Sequence, residues 1–189
     1  MKRVIMAIGL PFSGKSEAAE EYRKQGFEVI ERDALLQQIV RSDAFKNEVV
    51  ERTAGLSGKE LFVVKNEIAI RRLSDQIREI VRASSHETFF YDGTNLQKES
   101  RAGVLELTKE GVRVDALVFR VPLEEIVRRA EAVGASGERK GAFNDRARNE
   151  LGLMIALVEQ PDPSEGFTEM HVREWRPEVR EGQEFGKRL

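Results

Sequence analysis

The chain has 189 residues, enough for one domain with a real core, and its net charge of −2 gives no global basic field to gather nucleic acid. It contains no cysteine, which excludes disulfides and thiolate metal sites and fits a reducing cytoplasm. Nothing at the N-terminus reads as a signal peptide, and no apolar run approaches the roughly 20 residues of a membrane span.

The first strand runs from about Lys2 to Ile8, where Val4-Ile5-Met6-Ala7-Ile8 is a continuous apolar run of the kind a buried parallel strand requires. It delivers Gly9-Leu10-Pro11-Phe12-Ser13-Gly14-Lys15-Ser16, the spacing of a phosphate-binding P-loop. Gly9 and Gly14 let the backbone turn around a polyphosphate, where a Cβ would collide. Successive N–H groups then converge on phosphate oxygens. Lys15 supplies a positive charge for the β- and γ-phosphates, and Ser16 places a hydroxyl on Mg²⁺. Glu17 to Lys24 reads as the following helix, with Gly26 suited to its C-terminal cap.

Phe27-Glu28-Val29-Ile30 reads as a second strand that ends at Glu31-Arg32-Asp33. Side chains there sit at a strand's carboxyl end, the edge where open α/β sheets bind ligands. Asp33 therefore has two compatible readings, a functional carboxylate or a cap for the helix from Ala34 to about Arg41. Residues 42–59 carry little periodic signal. Gly55-Leu56-Ser57-Gly58-Lys59-Glu60 imitates a second phosphate loop, but Thr53 and Glu60 break the pattern. Ser57 and Glu60 fit a capping box instead. The long helix it opens carries Leu61, Val64, Ile68, Leu73, Ile77, Ile80 and Val81 at helical spacing, a core stripe. His86 falls in a connection and His171 in a later strand; both read as ordinary surface residues, since neither has a visible set of metal partners.

Thr88-Phe89-Phe90-Tyr91-Asp92 reads as a third strand ending in a carboxylate, as a Walker B strand does. Gly93-Thr94-Asn95-Leu96 suits a turn at the ligand edge. A helix from Glu99 to Glu110 is closed by Gly111, and Val114 to Val121 reads as the fourth strand. Pro122 is placed at N1 of the next helix, which carries Arg128 and Arg129. Gly134 to Gly141 is Gly-rich and basic, and Arg146 and Arg148 continue the basic density into another helix ending near Leu157. These arginines read either as a solvated face or, as we favour, as a lid over a bound triphosphate. A loop at Pro161 to Gly166, a fifth strand at Phe167 to Val172 and a charged tail from about Glu174, anchored by Trp175, complete the chain. The expected fold is α/β: a P-loop NTPase with a five-stranded, mostly parallel sheet, helices on both faces and a helical lid. One domain would span 1–173, with the lid at about 126–148 and a tail at 174–189.

These residues resemble the P-loop kinases of the polynucleotide 5′-hydroxyl kinase type. The resemblance covers about Val4 to Val172 and rests on four stretches. They are Gly9 to Ser16, Val29 to Asp33, Asp92 to Leu96, and Val118 to Pro122 with Arg128-Arg129 beyond; Glu165-Gly166-Phe167 adds to them. It implies an ATP-dependent, cytoplasmic kinase that transfers the γ-phosphate to a hydroxyl of a nucleic-acid end or a small molecule. By that resemblance Lys15, Asp33 and Arg129 are catalytic, with Asp33 as general base. ATP is held by Gly9, Pro11, Phe12, Ser13, Gly14, Lys15, Ser16, Glu17, Arg129 and Arg139. The acceptor side takes Arg32, Asp33, Asp92, Thr94 and Asn95, and Mg²⁺ takes Ser16 and Asp92. The chain departs from the pattern at Phe12, Glu17, Leu36 and Val133, the last two standing where acceptor and lid arginines are expected. An ATP-binding regulatory or toxin–antitoxin-like module without phosphotransfer is the alternative.

Overall fold

The computed structural model describes residues 1–136 and 145–176; of 134–136 and 145–147 it describes the backbone alone. Five strands form one sheet in the order β2-β3-β1-β4-β5. They are β1 (Arg3–Ile8), β2 (Glu28–Glu31), β3 (Thr88–Asp92), β4 (Arg113–Arg120) and β5 (Met170–Glu174). Every pairing is parallel, with Arg3 beside both Thr88 and Arg113. The strand that delivers the phosphate loop is therefore central. All carboxyl ends, including Ile8, Glu31, Asp92 and Arg120, emerge at one edge.

Seven helices are described: α1 (Lys15–Lys24), α2 (Arg32–Arg41), α3 (Asp43–Arg52), α4 (Gly58–Ala83), α5 (Lys98–Leu105), α6 (Leu123–Ser136) and α7 (Asp145–Ala156). They cover both faces. On one face Ala18 and Ala19 of α1 bring the helix close to Ile5, Ala7, Phe90, Leu117 and Phe119, and Tyr22 stacks on Phe90 at 4.9 Å from Phe27. On the other, Ile68, Leu73, Ile77 and Val81 of α4 pack over Val4, Met6, Phe89, Tyr91 and Val114. Strands buried on both faces need apolar residues at consecutive positions, which is why β1 and β3 were legible as unbroken apolar runs.

Several local expectations are corrected. Residues 43–52, unreadable in the sequence, form α3; Ser42 caps it by accepting from the Phe45 N–H at 3.2 Å, and Phe45 is the residue it buries. Ser57 occupies the N-cap of α4 but its hydroxyl makes no capping bond, so the expected box does not close. Pro122 precedes α6 rather than opening it; its carbonyl accepts from the Glu125 and Ile126 N–H groups, the role of an N-cap. The fifth strand begins at Met170, later than expected, because Phe167 turns into the core while Thr168 bonds back to Val114. Gly134 to Gly141 falls largely, and the tail beyond Arg176 entirely, outside the described residues. No described helix is long and apolar enough to cross a membrane.

Candidate active site

The loop between β1 and α1 is shaped by three residues with left-handed or sterically restricted backbones. A Cβ on Gly9 would lie 2.9 Å from Ser13 Oγ and 3.0 Å from Phe119 Cβ, so only glycine fits. Gly14 has φ +95° and caps α1. Phe12 adopts φ 64°, a conformation that costs an L-residue roughly 1–2 kcal/mol. Such alternation turns successive N–H groups inward, and α1 adds the positive end of its dipole. Lys15 is only 8% exposed. Its ammonium donates to the Leu10 carbonyl at 2.7 Å and to Ser13 Oγ at 3.4 Å. Burial pulls its pKa down to about 8, against the opposing pull of Asp92, Asp33 and Glu17.

Facing the loop, Asp92 ends β3, and Ser16 in the first turn of α1 lies near enough to its carboxylate to favour the charged form. Burial raises the Asp92 pKa; Lys15 and Ser16 oppose this, while Asp33 and Glu31 add to it. One carboxylate and one hydroxyl, close together beside a phosphate nest, are hard oxygen donors that fit a Mg²⁺ ion sharing nucleotide oxygens. Asp33 lies in the first turn of α2 rather than at its cap, with a side chain 88% exposed. Arg32 donates to it at 3.1 Å. The Arg32 stem crosses Gly93, where a Cβ would meet Arg32 Cδ at 2.8 Å, and its guanidinium lies near the Tyr91 hydroxyl.

The Thr94 backbone and the Asn95 side chain tie this turn to the end of β1 and the phosphate loop. The Thr94 carbonyl accepts from the Gly9 N–H at 3.0 Å. Asn95, expected at the acceptor, is 1% exposed; its Nδ2 donates to the Ala7 carbonyl at 2.7 Å, while its Oδ1 is buried without a hydrogen-bond partner among the described residues. Its backbone takes φ 48°, which asparagine tolerates.

Arg129 reaches the loop from α6, donating to the Phe12 carbonyl at 3.3 Å. Glu125 holds both α6 arginines: it accepts from Arg129 Nε at 2.7 Å and from Arg128 Nε at 2.6 Å. Those two cations hold the Glu125 pKa at about 2. Sequence reasoning passed over Glu125, although its spacing of three and four residues from the arginines was the available signal. A cavity of about 1250 Å³ opens beside the loop, walled by Phe12, Phe119, Val121, Arg129 and Trp175. Pro11 lies on the same loop, and Glu17, in the first turn of α1, lines the cavity. Arg139 lies outside the described residues. Away from this edge, His171 sits 3.2 Å from Glu169, and His86 the same distance from Glu28. Asp115 comes within reach of Glu169 and His171, but Arg3 and Arg113 both pair with it, so the group is neutralised by guanidinium rather than set up for a cation.

Residues 4–161 match the family model of the AAA domain. The chain belongs to that family. The folded AAA domain is also similar to a sugar kinase from a Janibacter species, at 21% identity and TM-score 0.56, over 92% of this chain and 86% of that one. A gluconokinase from Sinorhizobium meliloti 1021 is similar at 17% identity and TM-score 0.54, over 90% and 81%. At these identities the likeness establishes a P-loop kinase fold for this AAA domain. No curated protein sequence matches it.

Proposed function

We propose that the chain is an ATP-dependent kinase that transfers the γ-phosphate to an alcohol. The observation that supports this reading is the convergence on one sheet edge of Lys15, the Ser16–Asp92 pair and Asp33, close enough that both aspartates act on the Lys15 charge. Lys15 would leave the Leu10 carbonyl for the β- and γ-phosphates. Ser16 and Asp92 would hold Mg²⁺, which neutralises charge on those phosphates when bound. Arg129, steered by Glu125, would meet the charge that builds on the transferred group. Asp33 would accept the acceptor's hydroxyl proton as the new P–O bond forms and the bond to the β-phosphate oxygen breaks. The cavity beside Phe12 and Trp175 would take the nucleoside.

A small polyhydroxy acceptor fits better than a polynucleotide end. On α2, three residues after Asp33, Leu36 packs against the core where a substrate-binding arginine would stand, and Gln37 and Val40 beside it are exposed and uncharged. The names of the similar structures, a sugar kinase and a gluconokinase, point the same way.

Transfer of labelled γ-phosphate with Mg²⁺, to a panel of sugars, sugar acids and 5′-hydroxyl oligonucleotides, tests the reading beside Asp33→Asn. The expected result is a labelled small product, reduced by roughly 10²–10⁴-fold in the variant with ATP affinity retained. Equal turnover in Asp33→Asn would remove the base. ATP binding without transfer to any acceptor would favour the regulatory module, to which Leu36 and Val133 in place of arginines also point.

A further inference from the structure

Arg101, on α5, is the largest fully buried side chain among the described residues, yet it carries a full charge and lies off the catalytic edge. Its fork is used throughout. Nε and Nη2 grip the two oxygens of Glu165 at 2.8 and 2.7 Å. Nη1 faces three carbonyls, those of Asn95 and Leu96 at 3.0 Å and of Glu159 at 3.1 Å. Glu159 follows α7, and its N–H donates to the same Leu96 carbonyl at 2.9 Å. Glu165 Oε1 also accepts from the Asp162 N–H at 3.0 Å, closing a capped turn over Pro163–Glu165.

Two of the carbonyls gripped by Arg101, those of Asn95 and Leu96, belong to the loop that leaves Asp92. From the other side, that loop is pinned to the phosphate loop by the Gly9–Thr94 and Asn95–Ala7 bonds. It is therefore clamped at both ends, and the left-handed Asn95 is the residue between the clamps. We infer that Arg101 and Glu165 are positioning residues for phosphoryl transfer: they fix the loop that aims Asp92 at the metal, and they fasten the exit of α7 to that loop. This rests on the reading of Ser16 and Asp92 as the metal pair. A guanidinium suits the task because one rigid planar group satisfies a carboxylate and several carbonyls at once, whereas an ammonium cannot span them.

A purely structural staple would show only in stability, so the test reads the metal site directly. Mn²⁺ replaces Mg²⁺ and is titrated by electron paramagnetic resonance into full-length protein holding ATP. Breaking one half of a buried ion pair threatens folding, whereas replacing both halves by apolar groups is often tolerated. The variants are therefore the double substitution Arg101→Met with Glu165→Leu, and Arg101→Lys, which keeps the charge. Metal-free ATP affinity should hold, since the phosphate loop binds through its own backbone. Mn²⁺ affinity should weaken by roughly 10–100-fold, the usual cost of losing an outer partner of a metal ligand. In Arg101→Lys, the amides of Thr94 to Leu96 should exchange with solvent faster than in the wild type, while those of the α4 core keep their rates. Wild-type Mn²⁺ affinity and unchanged loop exchange in a folded variant would overturn the inference. Failure of the wild type to bind Mn²⁺ with ATP would instead overturn the proposed function, and this inference with it.

Discussion

Lys15 and Asp33 stand at the same edge of the sheet, yet they are held in opposite ways. Lys15 is sealed under its own loop, bonded to the Leu10 carbonyl, and lowered in pKa by burial. Around it, Gly9, Thr94, Asn95 and Ala7 are tied by short main-chain and side-chain bonds. Asp33 projects from the first turn of α2 with its side chain 88% in solvent, and its ion partner is the neighbouring Arg32. In the proposed reading the nucleotide half is thus built before any ligand arrives, while among the described residues the acceptor half lacks walls of its own. Such a division suits a scaffold whose donor chemistry is fixed and whose acceptor specificity is set by what covers Asp33.

The largest effect that would break this contrast is Lys15→Met. The donor half should lose transition-state stabilisation, lowering turnover by about 10³-fold, while the folded state gains from losing a buried charge. Single-turnover kinetics beside a thermal melt would check both; a drop in melting temperature would mean Lys15 holds the loop together instead.

A second effect sharpens it. With its pKa near 8, Lys15 in the free folded protein has largely lost its proton above that pH, whereas the unfolded chain keeps it to about 10.5. Between those values the folded state binds fewer protons, so Lys15 by itself makes stability rise with pH. Bound phosphates would restore the proton. Metal-free ATP binding should therefore take up close to one proton near pH 9 and almost none near pH 7. Calorimetry in buffers of different ionisation enthalpy measures this, and Lys15→Met should abolish it.

The smallest effect concerns Phe12. Phe12→Gly relieves a left-handed phenylalanine but frees the unfolded chain, so stability should change by less than about 1 kcal/mol. Loss of one aromatic wall of the cavity should weaken nucleotide binding by roughly 2–10-fold. Unchanged affinity in an equilibrium titration would take Phe12 out of the nucleoside site.

The phosphate loop and its strands were legible in the sequence and the surroundings of Asp33 much less so, for physical reasons. A phosphate loop needs glycine where Gly9 meets Phe119 and where Gly14 turns left-handed, and those needs leave a fixed spacing. The apolar strands Thr88–Asp92 and Arg3–Ile8 announce themselves because both faces are covered. Helix α3 does not, since Phe45 is the lone buried side chain on a polar segment. The edge strand β5 pairs on one side and leaves most of its side chains exposed, so no apolar run marks its start. Asn95 looks like a ligand residue in sequence because turns and active sites use the same amino acids; its amide is turned inward to Ala7. Arg101 was invisible. An arginine on a helix reads as solvated, and its partner Glu165 lies 64 residues downstream.

The central place of β1 also bears on how the chain is made. It leaves the ribosome well before its two neighbours, β3, beginning at Thr88, and β4, beginning at Arg113. Until those segments emerge, Val4 to Ile8 is an apolar strand with both edges unpaired, the condition under which nascent chains stick to one another. Its sheet cannot zip from hairpins, since every pairing is parallel and joins distant segments, so collapse waits on loop closures that are slow to achieve. The early helices α1 to α4, synthesised in that interval, are then the shelter within the chain for the strand on which the phosphate loop depends.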